Sequence, residues 1–140
     1  MISLKMNPVL DDAMLNELFA RSWPKHISRP FANVLARSLG FVGAFDGDRF
    51  VGFVNVATGG GAHAFLLDPT VDPDYRRQGL GSRLVRDAID LAHAAHCEWM
   101  HVDFEPRLAP FYAACGFVPT EAGLISLTAA SHEHSSSRPF

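Results

Sequence analysis

Apolar residues recur along the chain first at every second position and then at every third or fourth, and each change of period marks an element. Ile2, Leu4 and Met6 alternate with Ser3 and Lys5, which predicts a strand closed by Asn7 and Pro8. From Asp11 the spacing turns helical, with Met14, Leu15, Leu18 and Phe19 on one face. Asp11 and Asp12 suit the N-terminus of that helix, where its dipole favours negative charge. Trp23-Pro24 ends it, because the residue before a proline is pushed out of helical geometry. A shorter helix is expected over Phe31–Arg37. Phe41–Phe45 and Phe50–Val56 then read as strands joined by a hairpin turn at Asp46-Gly47-Asp48. Gly59-Gly60-Gly61 turns the chain into a further apolar strand, Ala62–Val71, interrupted at Asp68-Pro69.

Beyond Val71 the texture changes. Asp72 to Gly81 reads as a loop, and a helix is expected from Ser82, with Leu84, Val85, Ala88, Ile89, Ala92 and Ala95 as its buried stripe. Trp99–Phe104 reads as a strand and Leu108–Cys115 as a short helix capped by Gly116. Phe117-Val118 and Leu124–Leu127 suggest a closing hairpin around Glu121-Ala122-Gly123. Short connections make neighbouring strands antiparallel, whereas the strand–helix–strand unit from Ala62 to Phe104 requires a parallel crossover. The predicted fold is therefore α/β (α+β): a mixed, mostly antiparallel sheet with one parallel strand–helix–strand crossover and helices on both faces. It occupies residues 1–128, and the polar residues 129–140 form a mobile tail.

Composition narrows the class. At 140 residues with 48% hydrophobic and 19% charged, the chain can bury a full core, which excludes a disordered protein. A net charge of −3 argues against a nucleic-acid partner bound by bulk charge. Met1 to Pro8 lacks the apolar core of a signal peptide, and no apolar run approaches the roughly 18 residues of a membrane span. Cys97 and Cys115 are too few for a disulfide framework or a zinc site, so a reducing cytoplasm is the expected setting. His93 and His96 have helical spacing suited to a metal, but no accompanying ligand pattern supports one, and a solvated face is expected.

The chemistry concentrates in Arg76-Arg77-Gln78-Gly79-Leu80-Gly81-Ser82, where a strand gives way to a helix. Unsatisfied N–H groups and the helix dipole favour an anion there, and glycines at 79 and 81 let the main chain approach it closely. Arg76 and Arg77 add positive charge at the mouth, and a pyrophosphate is the natural guest. Paired glycines before a helix also arise for turn geometry alone. The ATP-type Gly-x-x-x-x-Gly-Lys-Ser/Thr loop is missing, and the loop comes too late in the chain for a dinucleotide fold.

This segment resembles the acetyl-CoA signature of the GNAT superfamily of N-acetyltransferases, Arg/Gln-x-x-Gly-x-Gly/Ala, preceded here by Val71-Asp72-Pro73-Asp74-Tyr75. Ala109-Pro110-Phe111-Tyr112-Ala113-Ala114-Cys115-Gly116-Phe117 resembles the family's second block, at the expected distance. The resemblance implies acetyl-CoA as acetyl donor and direct transfer to a primary amine of a small molecule or an exposed amino group. It implies that Gln78, Gly79, Leu80, Gly81 and Ser82 hold the pyrophosphate, with Arg76 and Arg77 beside them. The pantetheine arm would lie along the strand ending at Val71, whose N–H would polarise the acetyl carbonyl. Tyr112 matches the family tyrosine that protonates the departing thiolate. For the base the residues leave alternatives open: Asp68, Glu105 (where relatives carry asparagine), a His101–Asp103 pair sharing one strand face, or a water chain. Trp23 and His26 would wall the acceptor pocket or serve as core packing. Cys115 is expected to pack, and no metal is implied. A non-catalytic CoA-binding or sensing module is the alternative function, and a homodimer is compatible with the family.

Overall fold

The computed structural model describes residues 1–128. The polar tail expected at 129–140 lies outside the described residues. Five strands form one sheet in the order β1 (Ile2–Met6), β2 (Gly40–Asp46), β3 (Arg49–Thr58), β4 (His63–Val71) and β5 (Trp99–His101). Every neighbouring pair is antiparallel except β4 with β5, which is parallel. The helices are α1 (Asp12–Ser22), α2 (Ala32–Arg37), α3 (Leu80–Ala94) and α4 (Ala109–Ala114). The mixed sheet and the crossover through α3 are as the hydrophobic pattern predicts.

Two cores lie on the two sheet faces. On one, Leu15, Leu18 and Phe19 of α1 pack with Phe31, Phe45, Phe50 and Phe53. On the other, Leu80, Leu84, Val85, Ala88 and Ala92 of α3 pack with Val42, Val54, Val56, Ala64, Leu66 and Tyr112. Asp11 caps α1 by accepting from the Met14 N–H at 2.9 Å. Among the described residues no helix is long and apolar enough to cross a membrane.

Four expectations need correction. Helix α3 starts at Leu80, not Ser82, because Gly79 takes the left-handed conformation (φ 76°, ψ 8°) and serves as its N-cap. Ala95 lies outside α3 and is exposed rather than part of its buried stripe. Strand β5 stops at His101 instead of reaching Phe104, since β4 no longer runs beside it. The closing hairpin is absent: residues 117–127 contain no strand, and Val118, Leu124, Ile125 and Leu127 are exposed. Pro119 lacks the N–H a ladder needs, and no described strand pairs with this segment.

Candidate active site

The sheet opens where the crossover begins. Strand β4 is nine residues long, yet it pairs with β5 only at His63↔Trp99, Ala64↔Met100 and Phe65↔His101. From Leu66 to Val71 the β5 side of β4 is unpaired, leaving an edge about 16 Å long at roughly 3.3 Å per residue. A β-bulge accompanies the opening. Pairing passes from Phe53↔Thr70 to Asn55↔Leu67, so Asp68 and Pro69 together oppose Val54. Asp68 adopts φ 54°, a left-handed conformation that a short polar side chain tolerates. The interruption legible at Asp68-Pro69 is this bulge.

At the outer end of the opening, the chain turns from β4 into α3. The helix's first backbone hydrogen bond runs from the Arg83 N–H to the Gly79 carbonyl at 3.2 Å. The N–H groups of Leu80, Gly81 and Ser82 therefore have no acceptor within the helix. Arg77 and Gly79 both take positive φ (63° and 76°), which folds the loop tightly over this end. A Cβ on Gly81 would sit 3.4 Å from the Phe111 ring and 3.9 Å from Val71 Cγ2, which are ordinary contact distances, so the first turn of α3 packs against both α4 and β4. Arg76 differs from expectation. Its guanidinium donates to the Val71 carbonyl (3.2 Å) and the Ser22 carbonyl (3.4 Å), tying the loop to the end of α1.

Asp72 anchors this turn. It is 1% exposed and accepts from Arg21 Nε at 2.9 Å, Arg49 at 3.4 Å and the Asp74 N–H at 2.9 Å. Burial acts to raise its pKa, but the Asp74 N–H and the two guanidinium groups outweigh it and hold the carboxyl below its ordinary value. Arg21 and Arg49 lie 51 and 23 residues from Asp72 in sequence. The sequence reading missed this cluster; the one signal was an aspartate directly after an apolar strand.

Tyr112 lies on α4, in the core on the α3 face of the sheet. Its ring stacks on Phe104 (4.7 Å, 23°) and meets Phe111 and Phe117 edge-on. The residue is 3% exposed, and burial, reinforced by Cys115 and Asp103, pushes its hydroxyl pKa up. Among the described residues His26 Nδ1 is the one sealed side-chain atom without a partner, so the Tyr112 hydroxyl is not walled off. Cys115 is also raised by burial, against the opposing effects of Ser82 and Arg86, which keeps it a protonated thiol.

The other face carries α1, α2 and the segment between them. Trp23, Pro24, Lys25, His26 and Arg29 line an open cleft of about 410 Å³. Trp23 stacks on Phe19 at 4.0 Å, so it both packs the core and walls the cleft. The Asn16 amide donates to the Asp12 and Arg29 carbonyls, and its oxygen meets His26 Nε2 at 2.8 Å; this fixes His26 with its proton on Nε2. Asp68 borders this side. Atoms packed about its carboxyl raise its pKa, and the charge of Arg29 acts in the opposite direction, although the residue as a whole is exposed. Glu105, at the turn between β5 and α4, forms an exposed ion pair with Arg107 at 2.9 Å.

The expected His101–Asp103 pair does not form. Asp103 lies beyond the end of β5, and His101 meets His63 instead, Nε2 to Nδ1 at 2.7 Å. The pairing follows from the parallel register, which sequence alternation within one strand cannot show.

The sequence model described as the Acetyltransferase (GNAT) family matches residues 12–117. Over 60 residues the chain is 42% identical to the rice protein named "Probable glucosamine 6-phosphate N-acetyltransferase 2", covering 43% of this chain and 36% of that one. It is 34% identical over 56 residues to a mycothiol acetyltransferase of Rhodococcus opacus, covering 40% of this chain and 18% of that one. The chain thus spans well under half the length of the curated relatives it matches. A GNAT-family acetyltransferase from Streptococcus pneumoniae shares the fold, with TM-score 0.79 and 24% identity over 92% of this chain and 99% of that one. An aminoglycoside N-acetyltransferase solved in complex with CoA shares it at TM-score 0.71 and 18% identity, over 92% of this chain and 95% of that one.

Proposed function

The chain belongs to the Acetyltransferase (GNAT) family, and from that premise we propose that it is an acetyl-CoA-dependent N-acetyltransferase acting on a primary amine. The observation that carries this reading is the unpaired edge of β4 running into a helix N-terminus with vacant N–H donors. The N–H groups from Gln78 to Ser82 would hold the pyrophosphate, assisted by the charge of Arg77. The pantetheine arm would run along β4 from Val71 toward Leu66 as a substitute strand, with its amides taking the place of β5. Arg76 contributes by fixing the Val71 carbonyl rather than by touching phosphate.

Chemistry then divides between the two faces. The reaction is R–NH3⁺ plus acetyl-S-CoA giving R–NH-acetyl, HS-CoA and one proton. The nitrogen lone pair attacks the acetyl carbon, the C–N bond forms, and the C–S bond breaks with its electrons going to sulfur. Tyr112 supplies the proton that sulfur takes up; its raised pKa keeps it protonated at neutral pH. An alkylammonium has a pKa near 10.4, so delivering it neutral at pH 7 costs about 4–5 kcal/mol. Asp68, with its carboxyl pKa pushed up beside the cleft, is the first acceptor of that proton. Glu105, held by Arg107, is the less suited carboxylate.

Lys25 and Arg29 give the cleft a positive lip, which suits an amine that also carries a phosphate or carboxylate. The sugar phosphate in the names of several relatives has that chemistry. Thiol release from acetyl-CoA tests the reading against glucosamine 6-phosphate, unphosphorylated glucosamine, an aminoglycoside and an alanine-terminated peptide. Turnover with at least one supports it, fastest with the phosphorylated amine. CoA binding without turnover on any amine would favour a sensing module instead.

A further inference from the structure

We propose that His101 and His63 form a proton-accepting dyad at the inner end of the opened seam, taking the second proton from the amine as the amide forms. This rests on the acetyltransferase reading above and adds residues to it. The two imidazoles meet at 2.7 Å, Nδ1 of His63 to Nε2 of His101, so a single proton lies between them. One nitrogen on each ring remains for solvent or substrate, and both residues are exposed.

Their position carries the argument. Phe65↔His101 is the last β4–β5 pair, immediately before the strands part. An arm running from the Gln78–Ser82 turn down the unpaired edge therefore arrives at this pair. Phe65 stacks on the His101 ring (4.8 Å, 20°) and fixes its orientation. His63, Phe65 and Leu67 share one face of β4; Leu67 is paired with Asn55, whose side chain accepts from Ser38 just after α2. The dyad thus faces the same side as the Trp23–Arg29 cleft, opposite to Tyr112. Amine and thiolate would each find a proton-transfer group on their own side of the sheet.

The chemistry requires two proton acceptors. An ammonium loses one proton before it can attack and a second as the tetrahedral adduct collapses to a neutral amide. Asp68 serves the first loss. His101 takes the second on its available nitrogen, while His63 stabilises the resulting imidazolium by accepting the shared N–H. Asp68 and His101 then each release their proton to water and Tyr112 takes one back from solvent, so all three groups return to their starting state and one proton is released per turnover. Among the described residues no ion pair includes either histidine; the flanking carboxylates, Glu98 and Asp103, are not bonded to them. In this scheme His101 is the catalytic residue and His63 a positioning residue.

Two measurements test the dyad separately from the acetyltransferase reading. In ¹H–¹⁵N spectra of the imidazoles, saturating acetyl-CoA is expected to shift the ring resonances of His63 and His101 and leave His93 unmoved. Adenosine 3′,5′-bisphosphate, which lacks the arm, is expected to shift neither. Unmoved His63 and His101 in a protein that calorimetry shows to bind acetyl-CoA would overturn the placement. In kinetics on the fastest amine of the panel, His101→Gln is expected to lower kcat about a hundredfold with KM for acetyl-CoA unchanged, and to flatten the acidic limb of the pH profile. His63→Gln should retain that limb but displace it along the pH axis, and His93→Gln should match wild type. A His101→Gln enzyme with wild-type kcat and pH profile would remove the dyad from the mechanism while leaving acetyl transfer intact.

Discussion

Replacing Tyr112 by phenylalanine should separate chemistry from folding. The ring's contacts with Phe104, Phe111 and Phe117, at 4.7, 4.9 and 5.8 Å, do not involve the hydroxyl. The substitution leaves no buried partner unsatisfied, so its effect on stability should fall within about 0.5 kcal/mol. Truncation to alanine, by contrast, would open a cavity and cost about 3–5 kcal/mol. Turnover should respond quite differently. A positioned general acid contributes 10²–10⁴-fold, and a thiolate of pKa about 8.5 leaves well enough to need only the lower end of that range. Tyr112→Phe should therefore slow kcat about a hundredfold, or about 2.7 kcal/mol of barrier at 1.36 kcal/mol per decade. Steady-state thiol release, urea unfolding and acetyl-CoA calorimetry on the same preparation give the three quantities. Turnover within threefold of wild type, or a large loss of acetyl-CoA affinity, would refute the role of the hydroxyl. The pH dependence has a definite sign. Because the folded pKa lies above the unfolded value near 10, Tyr112's contribution to stability is complete below that value and is lost as pH rises through the folded pKa.

Other perturbations probe the scaffold and the cleft. Asp72→Ala should cost about 2–3 kcal/mol in urea unfolding at pH 7, between the values for surface and fully buried pairs, because the carboxylate is sealed while Arg21 and Arg49 still reach solvent. With its folded pKa lowered, Asp72 stabilises above the unfolded value near 3.9, and the difference from the variant should vanish as pH falls through the folded pKa. Gly79→Ala should cost about 1–2 kcal/mol through its positive φ and weaken CoA binding, as thermal melts with and without CoA would show. Asp68→Asn should lower kcat at least tenfold yet be no less stable at pH 7, because the native fold disfavours the charged carboxyl and the raised pKa means stability falls as pH rises through it. A clear loss of stability there would show that the charged form is favoured.

Much of the fold was legible because its signals are local. Alternation located β1, apolar runs either side of the Asp46-Gly47-Asp48 turn located β2 and β3, and the helical stripe of Leu84, Val85, Ala88 and Ala92 located α3. The glycine pair marked the helix start, though Gly79's left-handed φ moves that start two residues earlier than the polar Ser82 suggests. What escaped was the product of registration between distant segments. Asp68-Pro69 showed an interruption, but its meaning as a bulge opposite Val54 depends on β3. His101 was matched with Asp103 by strict alternation, whereas the parallel register with β4 brings His63 to it across 38 residues. The Arg21–Asp72–Arg49 cluster joins three segments with no shared motif. Residues 118–127 show the converse: a strand-like pattern that pairs with no described strand leaves Val118, Leu124, Ile125 and Leu127 exposed.

Titration calorimetry of CoA into the protein at two temperatures addresses the main proposition with the fewest intermediaries. The account expects one site per chain, a binding enthalpy that becomes more negative on warming as the arm buries apolar surface, and weaker binding when Gly81→Asp brings a negative charge into the first turn of α3. Absence of heat at both temperatures, or equal affinity in the Gly81→Asp variant, would contradict it.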